Sequence, residues 1–416
     1  SFAPELIGYQ CAGKSGEKKK QRRWKSADVL GISKKVSSAR SPGKPGIVAM
    51  RLKHRQTRES AHPVDVSDPL CRILRHQFPW QDALHYRAMS GTRQLSVWVA
   101  FGSWAAVVAA ASIYGAWQGY AGRAYVTLLG VLAFFLAIQL LLAADNFGER
   151  FARRVGSHRG VLIAVVPFLA YLIYLLGTNS FAWWRAAIAA AYTLGPVLFV
   201  ISSGASKTGT WQDYLAVLTI FLPLKLRWLN GLWPYPGTRI GYAATVLFAI
   251  NVALATFLFV RQLDGIGYNI VWGLDPALSA GIHFALLAVI VIPLGTVLHF
   301  IQFDPTIAHW KSLPIDAVAI FLFTAWPEEL LFRGLLQNSL SRTLSSETGG
   351  WITASVIFGL AHINNHGVFP NWRYALLATI AGIFYGSAWR KTGSIFPAAI
   401  VHALVDTTWH LLFRTL

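Results

Sequence analysis

Ionisable side chains interrupt the apolar C-terminal quarter of the chain at three places. A charge at the centre of a bilayer helix costs about 2.5–3.5 kcal/mol, so a sequence that keeps several there requires a use for them, and catalysis is the first candidate. On a helix, residues four positions apart share a face, so Glu329 can pair with Arg333, whereas Glu328 is rotated by about 100° and can face another group. The three groups are Glu328 and Glu329 with Arg333, then His362, and then His402 with Asp406.

Together these groups offer a carboxylate base, two imidazoles and a further carboxyl group in surroundings of low dielectric constant. Such a set is sufficient to activate a water molecule and to stabilise an oxyanion. It is equally sufficient to bind a divalent metal through mixed nitrogen and oxygen ligands, and those ligands would be Glu328, His362 and His402. The sequence contains no His-Glu-x-x-His motif, so the usual zincin arrangement is absent. We assign no cofactor on this basis, and the binding of a divalent metal remains an alternative.

More than half of the residues are hydrophobic, which indicates an integral membrane protein. Hydrophobic residues make up 54% of the chain and charged residues 13%, whereas soluble domains carry about 25% charged residues. Since a spanning helix needs about 20 apolar residues, the sequence predicts an all-α, polytopic transmembrane helix bundle of about 8–11 spans. The apolar segments lie at roughly 94–117, 124–144, 160–177, 181–203, 211–224, 240–260, 277–301, 314–338, 351–363, 372–389 and 395–413.

Composition divides the chain into a basic N-terminal region and two membrane segments. We expect residues 1–93 to be largely disordered, because their first 70 positions hold 15 Lys and Arg residues against 6 Asp and Glu. The chain begins with Ser1 and both of its methionines precede the first apolar segment, so we interpret residues 1–49 as a candidate start-site artefact. We predict N-terminal transmembrane helices over 94–300 and a functional core over 301–416, where every group described above lies.

Basic residues in short loops predict the orientation in the membrane. The basic tail favours a cytoplasmic N-terminus in a multi-pass protein of a bacterial-type inner or plasma membrane, and we expect the tail to be solvated rather than bound to nucleic acid. The loop after two passes agrees with this orientation, because it holds Arg150, Arg153, Arg154 and Arg159. Three basic residues fall on the opposite side and conflict with it, namely Lys225, Arg227 and Arg239.

The ordered motifs resemble those of the CPBP family, which comprises the type II CAAX prenyl endopeptidases and their bacteriocin-immunity (Abi) relatives. The family pattern is Glu-Glu-x-x-x-Arg, then Phe-x-x-x-His, then His-x-x-x-Asn or Asp. The chain has Phe358 four residues before His362, a glycine after Arg333 and a Gly382…Gly386 pair before the last motif. The resemblance covers roughly residues 313–413. It implies a CPBP-type core in the C-terminal part of the bundle.

The resemblance also implies an intramembrane endopeptidase and a role for each motif residue. Glu328 would activate the attacking water together with His362, and His402 with Asp406 would stabilise the oxyanion. Glu329, Arg333 and Phe358 would support the site. Of a metal-dependent and a metal-free glutamate mechanism, we favour the second. Asp406 stands where the family also has Asn, and it can donate a hydrogen bond to an oxyanion only when protonated.

The implied partners are the lipid bilayer and a peptide or protein substrate with a membrane-associated segment. A lipidated substrate is compatible with this expectation, although no sequence feature points to a prenyl group. We weigh two alternatives. A non-catalytic peptide-binding or immunity protein would not need the intact set of Glu328, His362 and His402. A proton-coupled transporter would place polar residues in both halves of the bundle, whereas here they cluster in one.

Overall fold

Helices dominate the computed structural model, which describes residues 92–204, 208–305, 307–365 and 369–416. The predicted disordered region 1–93, except for its last two residues, lies outside the described residues, and so does the proposed artefact 1–49. The first half of the bundle contains α1 (Val97–Trp117), α2 (Gly122–Ala143), α3 (Phe147–Val155), α4 (Ser157–Ala164 and Val166–Gly177), α5 (Trp183–Ser202), α6 (Trp211–Lys225), α7 (Thr238–Leu254, continued by a π-helix over Ala255–Val260) and α8 (Leu274–Val297).

The second half is built on one helix with several changes of pitch. This helix, α9, runs through Ile307–Ile320, a π-helix over Phe321–Ala325, a turn of α-helix over Trp326–Glu329, a second π-helix over Leu330–Gln337, and Asn338–Thr343. It is followed by α10 (Glu347–Leu360), α11 (Trp372–Thr392) and α12 (Ile395–Leu412). Four short strands form two antiparallel pairs: β1 (Arg93–Gln94) with β2 (Val271–Trp272), and β3 (Ile301–Phe303) with β4 (Phe413–Thr415).

Seven of the described helices are long and apolar enough to cross a membrane: α1, α2, α4, α5, α7, α8 and α12. The predicted all-α, polytopic membrane bundle is therefore confirmed. Each apolar segment predicted from the sequence is helical, but α6 and α10 have only 15 and 14 residues, fewer than a full crossing needs. The most apolar stretch of α7 is 89% buried and that of α1 is 6% buried. Thus α7 lies at the centre of the bundle and α1 at its edge.

Close helix contacts fix the position of the C-terminal motifs. A Cβ atom at Gly359 of α10 would overlap the Thr379 hydroxyl and the Ala375 carbonyl oxygen of α11, and one at Gly382 would lie 3.2 Å from the Ser355 backbone. Small residues at such crossings let two helix backbones approach closely, as in other membrane bundles. The approach brings α10, which carries Phe358, against α11, and α11 in turn packs on α12. The second and third motifs are thereby held side by side.

The change of helical pitch in α9 coincides with the two glutamates. The α-helical turn Trp326–Glu329 lies between the two π-helical segments. Pro327 has no backbone N–H to donate, yet the helix continues through it. π-Helical turns inside helices occur frequently at functional sites. Here they set which side chains of α9 face α12 and which face α6 and α7.

Candidate active site

A buried charged framework joins three helices behind the site. Arg333 Nε lies 3.1 Å from Glu329 Oε2, and these two residues are 1% and 0% exposed. The Nδ1–H group of His402 donates to the other carboxylate oxygen, Glu329 Oε1, at 2.9 Å, and Arg333 Nη2 donates to the Gly382 carbonyl oxygen at 3.0 Å. Glu329 therefore links α9 to α12, and Arg333 links α9 to α11.

Aromatic rings complete this framework. Phe358 lies 4.6 Å from the Arg333 guanidinium carbon, measured to the ring centroid, and its ring centroid lies 4.7 Å from that of His362. Tyr385 stacks on His402 with 4.6 Å between ring centroids and 15° between planes. A guanidinium over an aromatic face is attracted by the ring quadrupole. The rings therefore hold both imidazoles in place and accommodate the buried Arg333 charge.

The two histidines present the same nitrogen to Glu328. His362 Nδ1 donates to the Phe358 carbonyl oxygen at 2.7 Å, which leaves Nε2 to face the centre. His362 Nε2 lies 4.0 Å and His402 Nε2 lies 3.9 Å from Glu328 Oε2. Asp406 Oδ2 lies 3.7 Å from the same His402 nitrogen. These separations exceed the length of a direct hydrogen bond.

Several buried oxygens at this point lack a hydrogen-bond partner within the described part of the chain. They include both carboxylate oxygens of Glu328 and Oδ2 of Asp406, although these residues are each 5% exposed. Buried polar atoms without a partner are uncommon in folded proteins. When two groups both form hydrogen bonds of about 2.8 Å to the same water molecule, and the two bonds are at a right angle, the groups are about 4 Å apart. The spacing around Glu328 Oε2 therefore suits a single water molecule.

The types of donor at this point fit a metal site, but the distances between them do not. One carboxylate and two imidazoles, each with its Nδ1–H held by an acceptor, form a familiar donor set for divalent metals. Metal–ligand distances near 2.0–2.2 Å place two ligands about 3.4 Å apart at a tetrahedral angle. The observed separations from Glu328 Oε2 are wider, and the described residues contain no group of three His, Cys, Asp or Glu residues arranged for a metal ion.

Lys225, which served above only to predict the orientation in the membrane, lies beside the site. Lys225, the last residue of α6, donates from Nζ to Asn365 Oδ1 at 2.5 Å, and the Asn365 backbone N–H donates to the His362 carbonyl oxygen at 3.0 Å. Burial lowers the pKa of Lys225 to about 8, and the negative charge of Glu328 opposes this effect. Sequence reasoning missed the contact because more than one hundred positions separate the two residues. His366, which follows shortly after, lies outside the described residues.

Two apolar cavities meet the site from different sides. A cavity of about 80 Å³ is formed by α8, α10, α11 and α12, and its wall contains His362, His402 and Asp406. A cavity of about 50 Å³ is formed by α6, α7 and α9, and its wall contains Glu328. Their linings share no residue. Glu328 therefore borders one cavity, and the two histidines border the other.

Comparisons with known proteins agree with the motifs. Residues 310–408 match the family model described as type II CAAX prenyl endopeptidase Rce1-like. The uncharacterised protein YpbD of Bacillus subtilis (strain 168) is 28% identical over 104 residues, which cover 25% of this chain and 48% of YpbD; the chain thus spans about half the length of this curated relative. No solved structure matches. The match contains every motif residue from Glu328 to Asp406, so this integral membrane protein carries a domain of the Rce1-like family over residues 310–408.

Proposed function

We propose that the chain is an intramembrane endopeptidase that hydrolyses a peptide bond by water activation at Glu328. The observation that carries the proposal is the position of Glu328 Oε2, 4.0 Å from His362 Nε2 and 3.9 Å from His402 Nε2 in a buried site. A carboxylate and two imidazole nitrogens around a water-sized gap form a set for general base catalysis. The Rce1-like match over residues 310–408 supports the same reaction class.

In the proposed reaction, Glu328 takes a proton from the water while His362 Nε2 accepts a second hydrogen bond from it. The water oxygen then bonds to the carbonyl carbon of the substrate, and the carbonyl oxygen becomes an oxyanion. Glu328 returns the proton to the amide nitrogen as the carbon–nitrogen bond breaks. Each proton transfer of this kind typically contributes 10²–10⁴-fold to the rate. The products are a carboxylic acid, which keeps the second proton of the water, and an amine, so the step balances without an oxidant or reductant.

His402 and Asp406 are placed to act on the oxyanion. His402 can donate from Nε2 only as an imidazolium, since its Nδ1–H already donates to Glu329. The oxyanion itself then supplies the compensating negative charge, because Glu329 already balances Arg333. Asp406 can donate to the oxyanion only in its protonated form. Preorganised donors aimed at a developing oxyanion are worth about 10²–10³ in kcat each.

We favour the metal-free mechanism because the separations around Glu328 suit a water better than a bound ion. A metal-dependent enzyme would lose activity on treatment with a chelator and regain it when a divalent metal is added back. A metal-free enzyme would keep its activity through the same treatment. Measuring both arms on purified protein in detergent separates the two mechanisms.

The proposed substrate is a peptide or protein with a membrane-associated segment. The site lies among apolar helices, and both of its cavities are apolar. The family description names a CAAX prenyl endopeptidase, and a lipidated segment is one member of the substrate class that we propose. We further propose a bacterial-type inner or plasma membrane and a cytoplasmic N-terminus, on the basis of the basic residues before the first span.

The test compares new peptide N-termini in membranes of cells that express either the wild type or Glu328→Gln at matched levels. The substitution keeps the shape of the side chain and removes the base, so we expect termini that depend on the wild type to disappear while the variant remains folded. Glu149→Gln is a matched control, because Glu149 is a partly exposed glutamate whose ion-pair partner Arg153 is exposed on the same helix. Unchanged termini in Glu328→Gln would remove Glu328 from the mechanism. An absence of wild-type-dependent termini would favour the non-catalytic binding protein.

A further inference from the structure

The cavity of about 50 Å³ is formed largely outside the family-matched domain. Its wall includes Leu224 from α6 and Ala249, Ile250 and Ala253 from α7, together with residues of α9. These α6 and α7 positions precede residue 310, where the family match begins. Glu328 is the charged residue in this wall. The N-terminal half of the bundle therefore supplies part of the immediate surroundings of the proposed base.

An extended peptide in this site has one side chain for each cavity. Consecutive side chains of an extended chain point to opposite sides and follow one another at about 3.3 Å. A scissile carbonyl carbon that a water on Glu328 attacks must lie next to the water-sized gap between Glu328 and the two histidines. The side chains before and after that bond then point in opposite directions, one towards the α6–α7–α9 cavity and one towards the α8–α10–α11–α12 cavity.

We propose that the cavity formed by α6, α7 and α9 is a substrate subsite that binds an aliphatic side chain next to the scissile bond, and that Ala249 sets its size. This inference rests on the proposed endopeptidase function and adds a specificity determinant to it. Ala249 is 3% exposed on the central helix α7. A larger residue at this position narrows the subsite and leaves the carboxyl group of Glu328 in place.

The volumes distinguish the two subsites. A cavity needs about 10–15 Å³ for each water-sized group. The cavity of about 50 Å³ is the smaller of the two, and we assign to it a branched aliphatic side chain such as leucine or isoleucine. We assign a larger side chain to the cavity of about 80 Å³. Both walls are apolar, so a charged side chain on either side of the bond would lose its hydration without gaining a partner.

The experiment measures side-chain preference in matched variants of the full chain in liposomes. The probes are quenched fluorescent peptides built on a cleavage site found by the comparison of membrane termini, with Ala, Leu or Phe at each of the two positions that flank the bond. The variants are Ala249→Val, which narrows the α6–α7–α9 cavity, and Ala378→Val, which makes the same change in the wall of the other cavity. The readout is the ratio of kcat/KM values between side chains at each position.

We expect Ala249→Val to lower the ratio for Leu against Ala at one flanking position by about tenfold or more, the usual effect of a methyl-sized change in an apolar pocket. Ala378→Val should leave that ratio unchanged and alter the preference at the other position. Leu224→Ala, which enlarges the subsite from α6, should raise the ratio for Phe against Leu at the first position, and this variant decides the matter if Ala249→Val does not fold.

Two negative results have different meanings. If the wild type cleaves the peptides and neither Ala249→Val nor Leu224→Ala changes a preference, the subsite inference is overturned and the proposed function stands. If the wild type cleaves no peptide and generates no termini in membranes, the proposed function fails and the subsite inference fails with it. A change at both positions in Ala378→Val alone would assign both side chains to the larger cavity and would also overturn the inference.

Discussion

At the scale of single residues, Glu329 stands out because it serves two partners at once. One of its carboxylate oxygens faces Arg333 and the other accepts the Nδ1–H of His402. The first contact neutralises a buried charge, and the second fixes which nitrogen of His402 faces Glu328. We therefore propose that Glu329 orients the site, and that Glu328, whose oxygens have no hydrogen-bond partner within the described residues, is the glutamate that reacts.

Removal of Arg333 tests this division of roles. Arg333→Ala leaves Glu329 buried without its counter-ion, and breaking a buried pair in this way typically costs about 3–5 kcal/mol. We expect a large loss of folded protein together with loss of activity, measured as yield in the membrane fraction and by thermal unfolding in detergent. Arg153→Ala is the control, because its pair with Glu149 is exposed and should be worth about 0–1 kcal/mol. Equal yields of the two variants would contradict the structural pairing.

The lowered pKa of Lys225 provides a test of its position. An exposed lysine titrates near pH 10.4, whereas burial lowers the pKa of Lys225 to about 8. We expect its modification by an amine-reactive reagent, followed by peptide mass spectrometry, to reach half of its maximal rate near pH 8. In Glu328→Gln the midpoint should fall further, because the favourable negative charge is gone. Lys225→Arg identifies the labelled peptide.

The lowered pKa of Lys225 also determines whether the stability of the protein rises or falls with pH. The unfolded state binds more protons than the folded state between the folded and unfolded pKa values of Lys225, so this residue makes the protein more stable as the pH rises from about 8 towards about 10.4. A labelling midpoint near pH 10 would show that Lys225 is not buried, and a midpoint that is identical in Glu328→Gln would show that Lys225 is not close to Glu328.

At the scale of helices, close crossings and changes of pitch align the three motifs. The two π-helical segments of α9 flank the turn that carries both glutamates. Gly359 and Gly382 allow α10 and α11 to approach closely, and α11 then packs on α12. The candidate site residues lie on α9, directly after the end of α10, and on α12, so their separation depends on how closely these helices approach.

Substitution of Gly359 tests the importance of the α10–α11 crossing. In Gly359→Ala the new methyl group would overlap Thr379 and the Ala375 carbonyl oxygen, so α10 must move away from α11. Overpacking of this kind typically costs about 1–3 kcal/mol. We expect a lower unfolding temperature and lower activity. Gly281→Ala on α8 is the control, because no atom lies within 4 Å of its added methyl group, and it should behave like the wild type. Wild-type behaviour of Gly359→Ala would show that the crossing tolerates a wider spacing.

At the scale of the whole molecule, the N-terminal helices contribute to the site as well as to the membrane anchor. Phe221 of α6 packs on Phe332 of α9 with 5.6 Å between ring centroids, and Lys225 binds Asn365. A buried ion pair between Arg261 and Asp213, with Nε to Oδ1 at 2.6 Å, ties the end of α7 to the start of α6. The family-matched domain thus shares the surroundings of the proposed site with helices outside the match.

The helix order predicts which loops share a side of the membrane. Arg150 lies in α3, which precedes α4, and Asn179 follows the end of α4, so single cysteines placed at these two positions should react with an impermeant maleimide from opposite sides of the membrane. Asn230 should react from the same side as Asn179, because Arg185 donates to both the Ser180 and the Gly231 carbonyl oxygens. The background carries Cys11→Ser and Cys71→Ser. Labelling of Arg150→Cys only in broken cells would agree with a cytoplasmic N-terminus, and labelling in intact cells would reverse the proposed orientation.

The sequence by itself determined the membrane class and the positions of the helices, and it predicted which groups could react. Composition and apolar run length depend only on neighbouring residues, so each apolar segment could be assigned to a helix. The pairing of Glu329 with Arg333 was equally accessible, because residues four apart on a helix are neighbours. The short amphipathic helix α3, with its basic last turn, was missed because it contains no apolar run.

Tertiary structure alone decided how the groups combine. The bond from His402 to Glu329 joins positions 73 residues apart, and that from Lys225 to Asn365 joins positions 140 apart. No local period encodes such contacts; they arise where helices cross, and the crossings depend on side-chain volumes on several helices at once. The same holds for the cavity beside Glu328. Its walls come from α6, α7 and α9, and its volume is what remains after these helices pack.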